Sequence, residues 1–250
     1  MVVPVTGRVP VVGRAVSPAA DATPRRPLVV EIVGPAGSGK TALLRTLHRD
    51  PRIRAGLRIE RARHLFELIA HTTAFAPAAL ALLGEGRGPF WPGLRHFVRL
   101  RTFPQAIARA AAEGPGLILL DEGPVFSLGR LSVFQRANHG ADRLARHWHA
   151  ELNRWANLLD GVVWIDAADS VLAERIRTRR KEHRIKSGTD TEVTSFLNRY
   201  RVAYREIMGV LAASGRVRVV EIDTARVTTE QLAERVMGEF GQMGLARDAS

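Results

Sequence analysis

Residues 29–44 read VVEIVGPAGSGKTALL, and this stretch decides the fold class. Residues 34–41 match the pattern G-x-x-x-x-G-K-[ST], with the strand-like run Leu28–Val33 before them and helical spacing after them. A strand, a glycine-rich turn and a helix in this order aim backbone N–H groups at an anion, at the positive end of a helix dipole. The stretch therefore predicts a phosphate-binding loop within a parallel α/β sheet.

The lysine of this loop has a distinct chemical task. Lys40 is one of only three lysines, although the chain contains 37 lysines and arginines together. We expect its compact charge to reach the β- and γ-phosphates, to which a planar guanidinium is less suited. The hydroxyl of Thr41 is the expected Mg²⁺ ligand in the loop. The predicted nucleotide-binding residues are Gly34, Pro35, Ala36, Gly37, Ser38, Gly39, Lys40, Thr41 and Ala42.

Two acidic residues follow a short, fully apolar strand. Leu117–Leu120 has the composition of a central strand in a parallel sheet, and Asp121 and Glu122 come directly after it. A carboxylate at the end of a buried strand beside the loop is placed to hold Mg²⁺, directly or through water. We therefore expect Thr41 and Asp121 as metal ligands. Glu122 has three interpretations: it acts on substrate, polarises a water, or caps the next turn.

Strands and helices alternate along the rest of the chain. The predicted strands are Leu28–Val33, Leu57–Glu60, Leu117–Leu120, Val162–Ile165 and Val217–Ile222. The predicted helices are Lys40–Arg49, Arg61–Ala70, Phe75–Leu83, Leu94–Ala112, Leu131–Leu159 (either continuous or divided at Gly140), Ser170–Lys181, Glu192–Ala213 and Thr229–Phe240. We expect a break at Pro104, an N-cap at Asp169 or Ser170, and a capping box formed by Thr228 and Gln231. Together they predict a three-layer α/β sandwich with a five-stranded parallel sheet.

The first 26 residues differ from the rest of the chain. Val3–Arg8 reads VPVTGR and Val9–Arg14 reads VPVVGR, and a Pro- and Ala-rich stretch follows this repeat. Its Pro and Gly content argues against helix, so residues 1–26 are predicted to form an extended, mobile arm. A segment added for expression or a partner-binding segment are the alternatives. We expect one folded domain over residues 27–245.

Composition limits the classes of function. The chain of 250 residues has 46% hydrophobic and 25% charged residues, a net charge of +12 and no cysteine, which excludes disulfides and thiolate-metal sites. The charge favours an anionic partner, but many arginines are scattered over Ala-rich segments, so a phosphorylated small molecule is expected rather than nucleic acid. The apolar runs are too short for a membrane span, so we expect a soluble, cytoplasmic protein without a membrane partner.

Residues 170–190, which read SVLAERIRTRRKEHRIKSGTD, are strongly basic. Their positive side chains are Arg175, Arg177, Arg179, Arg180, Lys181, Arg184 and Lys186. On the predicted helix, Arg175 and Arg179 are four residues apart and share one face, whereas Arg177 points away from them. One interpretation is a solvated basic surface. The other is a helical lid over residues 170–190 that supplies positive charge to a transferring phosphate.

The order of these motifs resembles the thymidylate kinase and deoxynucleoside kinase group of P-loop kinases. The resemblance covers about residues 28–240 and rests on the loop, on the R-I-x-x-R spacing of Arg175 and Arg179, and on the strand VVEIDT with the capped helix after it. It implies a five-stranded parallel sheet, ATP with Mg²⁺ as phosphoryl donor, and an Arg-bearing lid. It also implies an adenine site between the lid helix and residues 224–227.

Two positions depart from this family. Its members usually have an arginine directly after the acid that ends the third strand, whereas here Glu122 occupies that place and the next arginine is Arg130. The second predicted strand ends in Glu60, where deoxynucleoside kinases place the carboxylate that takes the acceptor's proton, but the residues after Glu60 differ from theirs. Kinase chemistry is therefore better supported than a nucleoside acceptor.

The acceptor pocket is expected where the strands end, opposite the loop. Aromatic side chains there could stack on a base and arginines could hold a phosphate, although aromatics at helical spacing also occur in cores. The predicted substrate-binding residues are Trp91, Arg95, Phe126 and Arg130, and further wall candidates are Phe90, Arg99, Phe134 and Arg136. His147 and His149 are two residues apart, which points them to different sides of a helix and makes them poor joint metal ligands.

The sequence thus favours a kinase that uses ATP and Mg²⁺ and acts on a small-molecule acceptor, a nucleoside or nucleotide. The expected catalytic residues are Lys40, Glu60, Asp121, Glu122, Arg175 and Arg179, with Glu60 or Glu122 as the base. The alternative is a P-loop ATPase or nucleotide-dependent switch without an acceptor, which the adjacent acids Asp121 and Glu122 would suit. A homodimer is left open.

Overall fold

The computed structural model describes residues 26–57, 90–136, 141–180 and 182–248. The strands are β1 (Leu28–Val33), β2 (Ile53–Leu57), β3 (Leu117–Asp121), β4 (Gly161–Asp166) and β5 (Arg218–Asp223). The helices are α1 (Lys40–Leu47), α2 (Phe90–Ala112), α3 (Pro124–Arg136), α4 (Ala141–Ala156), α5 (Asp169–Thr178), α6 (Asp190–Ala213) and α7 (Thr229–Asp248). Within these ranges, none of the helices combines the length and the hydropathy that crossing a membrane requires.

The described strands form one parallel sheet in the order β2-β3-β1-β4-β5. Strand β1 lies at the centre, between β3 and β4. In its register with β3, Ile32 is opposite Asp121, so the acid at the end of β3 lies beside the residues that lead into the loop. The parallel sheet expected from the sequence is confirmed, and its order places the two predicted phosphate-site segments side by side.

Helices cover both faces of the sheet because side chains of each strand point alternately to opposite sides. Val30 and Ile32 of β1 belong to the core that includes α1 and α7, whereas Val29 and Val33 belong to the core that includes α2 to α6. The result is three layers, as a mostly apolar parallel sheet requires. Glu31 has the same parity as Val29 and Val33, which places a carboxyl group in the second core.

The second strand begins earlier than the sequence predicted. Instead of Leu57–Glu60, β2 spans Ile53–Leu57, because the chain turns directly after α1: the Ile53 amide donates to Asp50 O (3.0 Å) and the Arg52 amide to Asp50 Oδ1 (2.9 Å). Glu60 and the two helices predicted between residues 61 and 83 lie outside the described residues.

Helix α2 also differs from its prediction. It begins at Phe90 rather than Leu94 and continues through Pro104, where a break was expected. A proline inside a helix costs about 3 kcal/mol. Here Leu100, Phe103 and Ile107 form one buried stripe that crosses the proline, and their exposed fractions of 1%, 0% and 6% show that core packing offsets this cost.

Helix termini agree with the sequence in one case and correct it in others. The Thr228–Gln231 capping box is confirmed, because each residue's amide donates to the other's side chain, at 3.0 and 3.2 Å.

The bounds of three helices differ from their predictions. Helix α7 continues to Asp248, beyond the predicted end at Phe240. Helix α3 begins at Pro124, seven residues before its predicted start. The N-cap of α5 is Ala168, not Asp169 or Ser170, since the Asp169 carboxylate is engaged by Arg201.

Candidate active site

The loop between β1 and α1 needs glycine at three positions for two different reasons. Gly37 and Gly39 have φ angles of 84° and 94°, which only glycine adopts without strain. At Gly34, an added Cβ would lie 2.1 Å from the carbonyl oxygen of Ile165 on β4. At Gly37 it would lie 2.9 Å from Leu172 O on α5. Because β4 and α5 hold the loop this closely, its curved shape is fixed before any ligand arrives.

Lys40 at the end of the loop folds back over it. Its Nζ donates to Gly34 O at 2.5 Å and to Pro35 O at 3.0 Å, and it lies 3.4 Å from Ser38 Oγ. Burial of the ammonium group lowers the pKa of Lys40 to about 8, although nearby carboxylates oppose this change. A partly desolvated cation beside a ring of glycine backbone fits an anion such as a nucleotide phosphate.

Charged groups from three other segments act on Lys40. The carboxylates of Asp121, Glu122 and Asp166 raise the pKa of the Lys40 ammonium group, and the guanidinium of Arg179 lowers it. The structure therefore brings together four residues that the sequence proposed separately, and adds Asp166 from the end of β4. Thr41 is exposed in the first turn of α1, and the hydroxyl of Thr41 and the carboxylate of Asp121 are oxygen groups of the kind that could hold Mg²⁺.

Arg175 and Arg179 do not share a helix face, so that prediction is wrong. Helix α5 ends at Thr178, and Arg179 follows it with an extended backbone (φ −65°, ψ 146°). Thr178 Oγ1 donates to Glu174 O at 2.9 Å, a side-chain bond that competes with the helical backbone pattern. Arg175 instead donates to the carbonyl and hydroxyl oxygens of Thr224, at 2.8 and 3.1 Å.

Arg177 and Arg184 of this basic segment contact residues outside the loop. Arg177 donates to Asp190 Oδ1 at 2.5 Å and to Gly188 O at 3.3 Å, and its side chain is 41% exposed. The guanidinium of Arg184 lies 5.0 Å from the centre of the Phe196 ring on α6. The arginines of residues 170–190 are thus not equivalent, since Arg179 is near Lys40 and its neighbours contact other parts of the protein.

Arg201 on α6 fixes the start of α5, and the sequence analysis missed it. It donates to both carboxylate oxygens of Asp166 (2.6 and 3.1 Å), to Ala167 O (2.8 Å) and to Asp169. The Asp166 hydrogen bonds are the main reason that the pKa of Arg201 is raised. Asp166 and Asp169 stand at the end of a predicted strand and the start of a helix, but their partner is more than 30 residues away, so no local pattern identifies it.

Glu122 has the one positive φ angle (54°) found outside glycine in the described residues. Its Oε2 accepts a hydrogen bond from Arg99 Nη1 at 2.8 Å, and both side chains are partly exposed. Arg99 on α2 thus places a guanidinium beside the end of β3. The kinase group described above usually has an arginine directly after the acid that ends this strand, and this chain has Glu122 there. The two form a polar edge of the site, next to Lys40.

The predicted acceptor residues divide into two groups. Phe126 is partly buried and meets the His96 ring edge-on, with centroids 5.8 Å apart. Arg130 donates to the Tyr200 hydroxyl, and its guanidinium is 5.7 Å from that ring. Both therefore have partners within the protein. The side chains of Phe90, Trp91, Arg95, Phe134 and Arg136 lie outside the described part of the structure.

A second residue that the sequence analysis missed is Glu31. Its side chain is fully buried, and its carboxylate accepts hydrogen bonds from the amides of Val125 (2.7 Å) and Phe126 (2.8 Å) at the start of α3. Burial raises the pKa of Glu31 to about 8, although these amide bonds oppose the change. The available signal was an acid inside the otherwise apolar strand LVVEIV.

Comparisons with known proteins show a likeness of fold and one likeness in sequence. No family model matches the chain. A thymidylate kinase from Candida albicans has a similar structure, with a TM-score of 0.55 and 14% identity over 87% of this chain and 92% of that one. The fold resembles that of P-loop nucleotide kinases. Deoxyadenosine kinase from M. mycoides with bound dATP superposes with a TM-score of 0.49 and 13% identity, over 86% of this chain and 100% of that one.

The similarity in sequence is to a protein of a different kind. The aliphatic sulfonates import ATP-binding protein SsuB 1 of Nocardia farcinica is 27% identical over 194 residues, which cover 66% of this chain and 77% of that protein. The similar structure is thus a thymidylate kinase, whereas the relative in sequence is an ATP-binding import protein.

Proposed function

We propose that the protein transfers the γ-phosphoryl group of ATP to a small-molecule acceptor, a nucleoside or nucleotide. The observation that carries the proposal is the convergence of Lys40, Arg179 and Asp121 beside the glycine loop. Phosphoryl transfer builds up negative charge on the transferring group, and cations such as Lys40 and Arg179 beside the loop would stabilise it. The kinase-like fold supports this function.

The proposed roles follow from position. The loop amides and Lys40 bind the phosphates, and the terminal phosphorus–oxygen bond breaks as a bond to the acceptor oxygen forms, which leaves ADP. For a nucleoside acceptor, the hydroxyl proton passes to a carboxylate, for which Glu122 and Glu60 are the candidates, whereas the phosphate oxygen of a nucleotide acceptor has no proton to lose. Arg99 would hold Glu122 in place through their 2.8 Å hydrogen bond. Mg²⁺, when bound, would neutralise charge on the phosphate oxygens, and Thr41 and Asp121 are the residues that would hold it.

We further propose that residues 170–190 act as the lid of one domain over residues 27–245, with the charge supplied from just beyond α5. The helix itself is held at its start by Arg201 and on one side by Arg175, whose guanidinium contacts Thr224. Arg179 lies outside the helix and is the arginine near Lys40. The contact of Arg175 with Thr224 places it at the loop before α7, where it would line a base site rather than contact the phosphates.

A second candidate function is an ATPase or nucleotide-dependent switch. The sequence similarity to an ATP-binding import protein favours it, as do the adjacent acids Asp121 and Glu122. In that case Glu122 would polarise a water molecule instead of accepting a proton from an acceptor. The same loop and the same Lys40 serve both functions, so the acceptor alone separates them.

The test is ATP turnover with and without a panel of nucleosides, nucleotides and sugars, with mass spectrometry of the products. A kinase forms ADP faster with one class of acceptor and yields a phosphorylated product of that class. Hydrolysis that is unchanged across the panel, with no phosphorylated product, would support the ATPase or switch. Mass spectrometry of small molecules retained during purification would identify candidate acceptors for the panel.

A further inference from the structure

A buried carboxyl group stands behind the acidic edge of the site. Glu31 lies in the central strand β1, three residues before the loop, with none of its side chain exposed. Its two oxygens have separate partners, since Oε2 accepts the Val125 amide and Oε1 accepts the Phe126 amide. Both donors belong to the first turn of α3. Glu31 therefore links the strand that leads into the phosphate loop to the helix that follows Asp121 and Glu122.

The first turn of any helix leaves amides without a helical partner, and here Glu31 accepts two of them. Pro124, at the first position of α3, has no amide hydrogen to satisfy. Val125 and Phe126 come next, and both donate to Glu31. An acceptor supplied from another strand sets where the helix begins. The two residues before that point, Glu122 and Gly123, are thereby fixed in space.

The turn before α3 has a shape that needs such support. Glu122 has a φ angle of 54°, a conformation that non-glycine residues keep only when their surroundings enforce it. At Gly123, an added Cβ would lie 2.7 Å from the Glu31 carboxyl carbon and 2.8 and 3.0 Å from its oxygens. The turn thus closes directly on the Glu31 carboxylate, with no space for a side chain between them.

Packing of the core does not by itself explain a glutamate at position 31. The residues on either side of it on the same strand face are Val29 and Val33, both buried in the same core. A third valine would avoid the cost of burying a carboxyl group. The carboxylate is placed where it can do what a valine cannot, which is to accept two amides at the base of the acidic turn.

We propose that Glu31 is a positioning residue for the turn that carries Asp121 and Glu122. The proposal rests on the proposed function, because it assigns Glu31 the task of holding the Mg²⁺ ligand and the candidate base toward Lys40. Glu31 does not contact the nucleotide itself. Residues that orient metal ligands in this way change metal affinity or activity by about 10- to 100-fold when they are replaced.

The test compares Glu31→Gln with Val29→Ala. Glutamine has nearly the same shape but replaces one acceptor oxygen by an NH₂ group, so one of the two amides loses its partner. Val29→Ala truncates a buried side chain of the same strand face and core, away from the turn. For each protein, calorimetry measures ADP affinity at a series of MgCl₂ concentrations and without MgCl₂, and thermal unfolding gives Tm.

We expect Glu31→Gln to bind ADP in the absence of Mg²⁺ with the wild-type affinity. The MgCl₂ concentration at which the enhancement of ADP binding is half-maximal should rise by on the order of tenfold. kcat should fall by a similar factor, with little change in KM for ATP. Val29→Ala should lower Tm without changing the Mg²⁺ dependence. Gly123→Ala, which forces a methyl group against the Glu31 carboxylate, should reproduce the Glu31→Gln pattern and serves if that variant does not fold.

Three results would overturn the inference. Glu31→Gln and Gly123→Ala could both retain the wild-type Mg²⁺ dependence and kcat, or they could match Val29→Ala and change Tm alone. In either case the proposed function stands, because the wild-type protein still shows Mg²⁺-dependent ADP binding and phosphoryl transfer. Wild-type protein that binds ADP independently of Mg²⁺ and forms no phosphorylated product would remove both proposals, and it is recognised without any variant.

Discussion

The two sides of the phosphate loop are built by different means. On the β4 side, backbone meets backbone: Gly34 lies against Ile165 O and Gly37 against Leu172 O, with no space for a Cβ. On the β3 side, the neighbours are charged side chains, among them Asp121 and Glu122, with Glu31 behind them. Close backbone packing on the β4 side therefore sets the shape of the loop, whereas its charge comes from both sides, because Asp166 and Arg179 act on Lys40 from the β4 side.

This difference has a consequence for mutation. A change on the β4 side should alter nucleotide binding through the geometry of the loop, whereas a change among the charged groups should alter the reaction more than the fold. Lys40 and Arg179 are the cations whose removal should alter the reaction more than the fold. Variants of these residues, matched with variants of nearby exposed arginines, test whether charge at the loop is the property that matters.

The largest effect is expected for Lys40→Ala. Removal of a charge aimed at the transferring phosphate should lower kcat by on the order of a thousandfold. The fold should survive, because a partly desolvated ammonium group with a lowered pKa contributes little to stability. Arg45→Ala, an exposed cation on the same helix, is the control and should retain activity. Near wild-type turnover by Lys40→Ala would refute the loop assignment.

The next effect is expected for Arg179→Ala. It should lower kcat by on the order of a hundredfold, since a transition-state arginine contributes several kcal/mol. Arg177→Ala is the matched control and should cost less than about threefold, because an exposed ion pair such as that of Arg177 with Asp190 contributes little. Steady-state kinetics on both variants distinguishes a catalytic Arg179 from a merely basic surface. Equal, small losses would mean that residues 170–190 form only a basic surface.

The pH dependence of nucleotide binding gives a smaller, quantitative effect. The pKa of Lys40 is about 8 in the free protein, and bound phosphates should raise it. At pH 8, binding of ADP should therefore take up about half a proton, whereas at pH 6 Lys40 is already protonated and the uptake should vanish. Affinity should accordingly decrease as the pH rises above 8.

Calorimetry in buffers with different ionisation enthalpies measures this uptake directly. Lys40→Arg keeps the positive charge at every accessible pH and should show no uptake from this position. The same uptake in the wild type and in Lys40→Arg would assign the proton to another group. A wild-type uptake that is absent at pH 8 would show that the environment of Lys40 is not desolvated.

The loop side of the site could be predicted from the sequence, since its determinants are contiguous. Residues 34–41 contain the glycines, the lysine and the hydroxyl in one motif, and Asp121 follows a short apolar strand. The parallel sheet was predictable for a related reason: in a buried strand, composition and length suffice. The Thr228–Gln231 cap was predictable because both partners lie within one turn.

The remaining features depend on contacts between distant segments. Glu31 and Val125 are 94 residues apart, and Arg201 and Asp166 are 35 apart. The pairing of Arg99 with Glu122 requires a helix whose start the sequence did not locate correctly. The lid helix was predicted too long because a basic run has acceptable helix propensity, whereas Thr178 bonds back to Glu174 and the helix ends there.

The smallest effect is expected at the N-terminus. Deletion of residues 1–25 should leave kcat within about twofold, because the described residues of the site begin at β1. Deletion of residues 1–26 also removes Arg26, whose guanidinium lies 2.6 Å from the buried carboxylate of Asp160. That variant should have a Tm lower by about 2–4 °C for each kcal/mol lost. A large loss of kcat with residues 1–25 removed would place that segment in the reaction.

The central claim is that the phosphoryl group moves to a small molecule, and a transfer assay tests it most directly. ATP labelled in its γ-phosphate is incubated with the protein and a small-molecule extract of cells, and the labelled products are separated by chromatography. We predict a new labelled phosphorylated compound that the wild type forms and Lys40→Ala does not. Release of all the label as inorganic phosphate, at the same rate with and without the extract, would contradict the account.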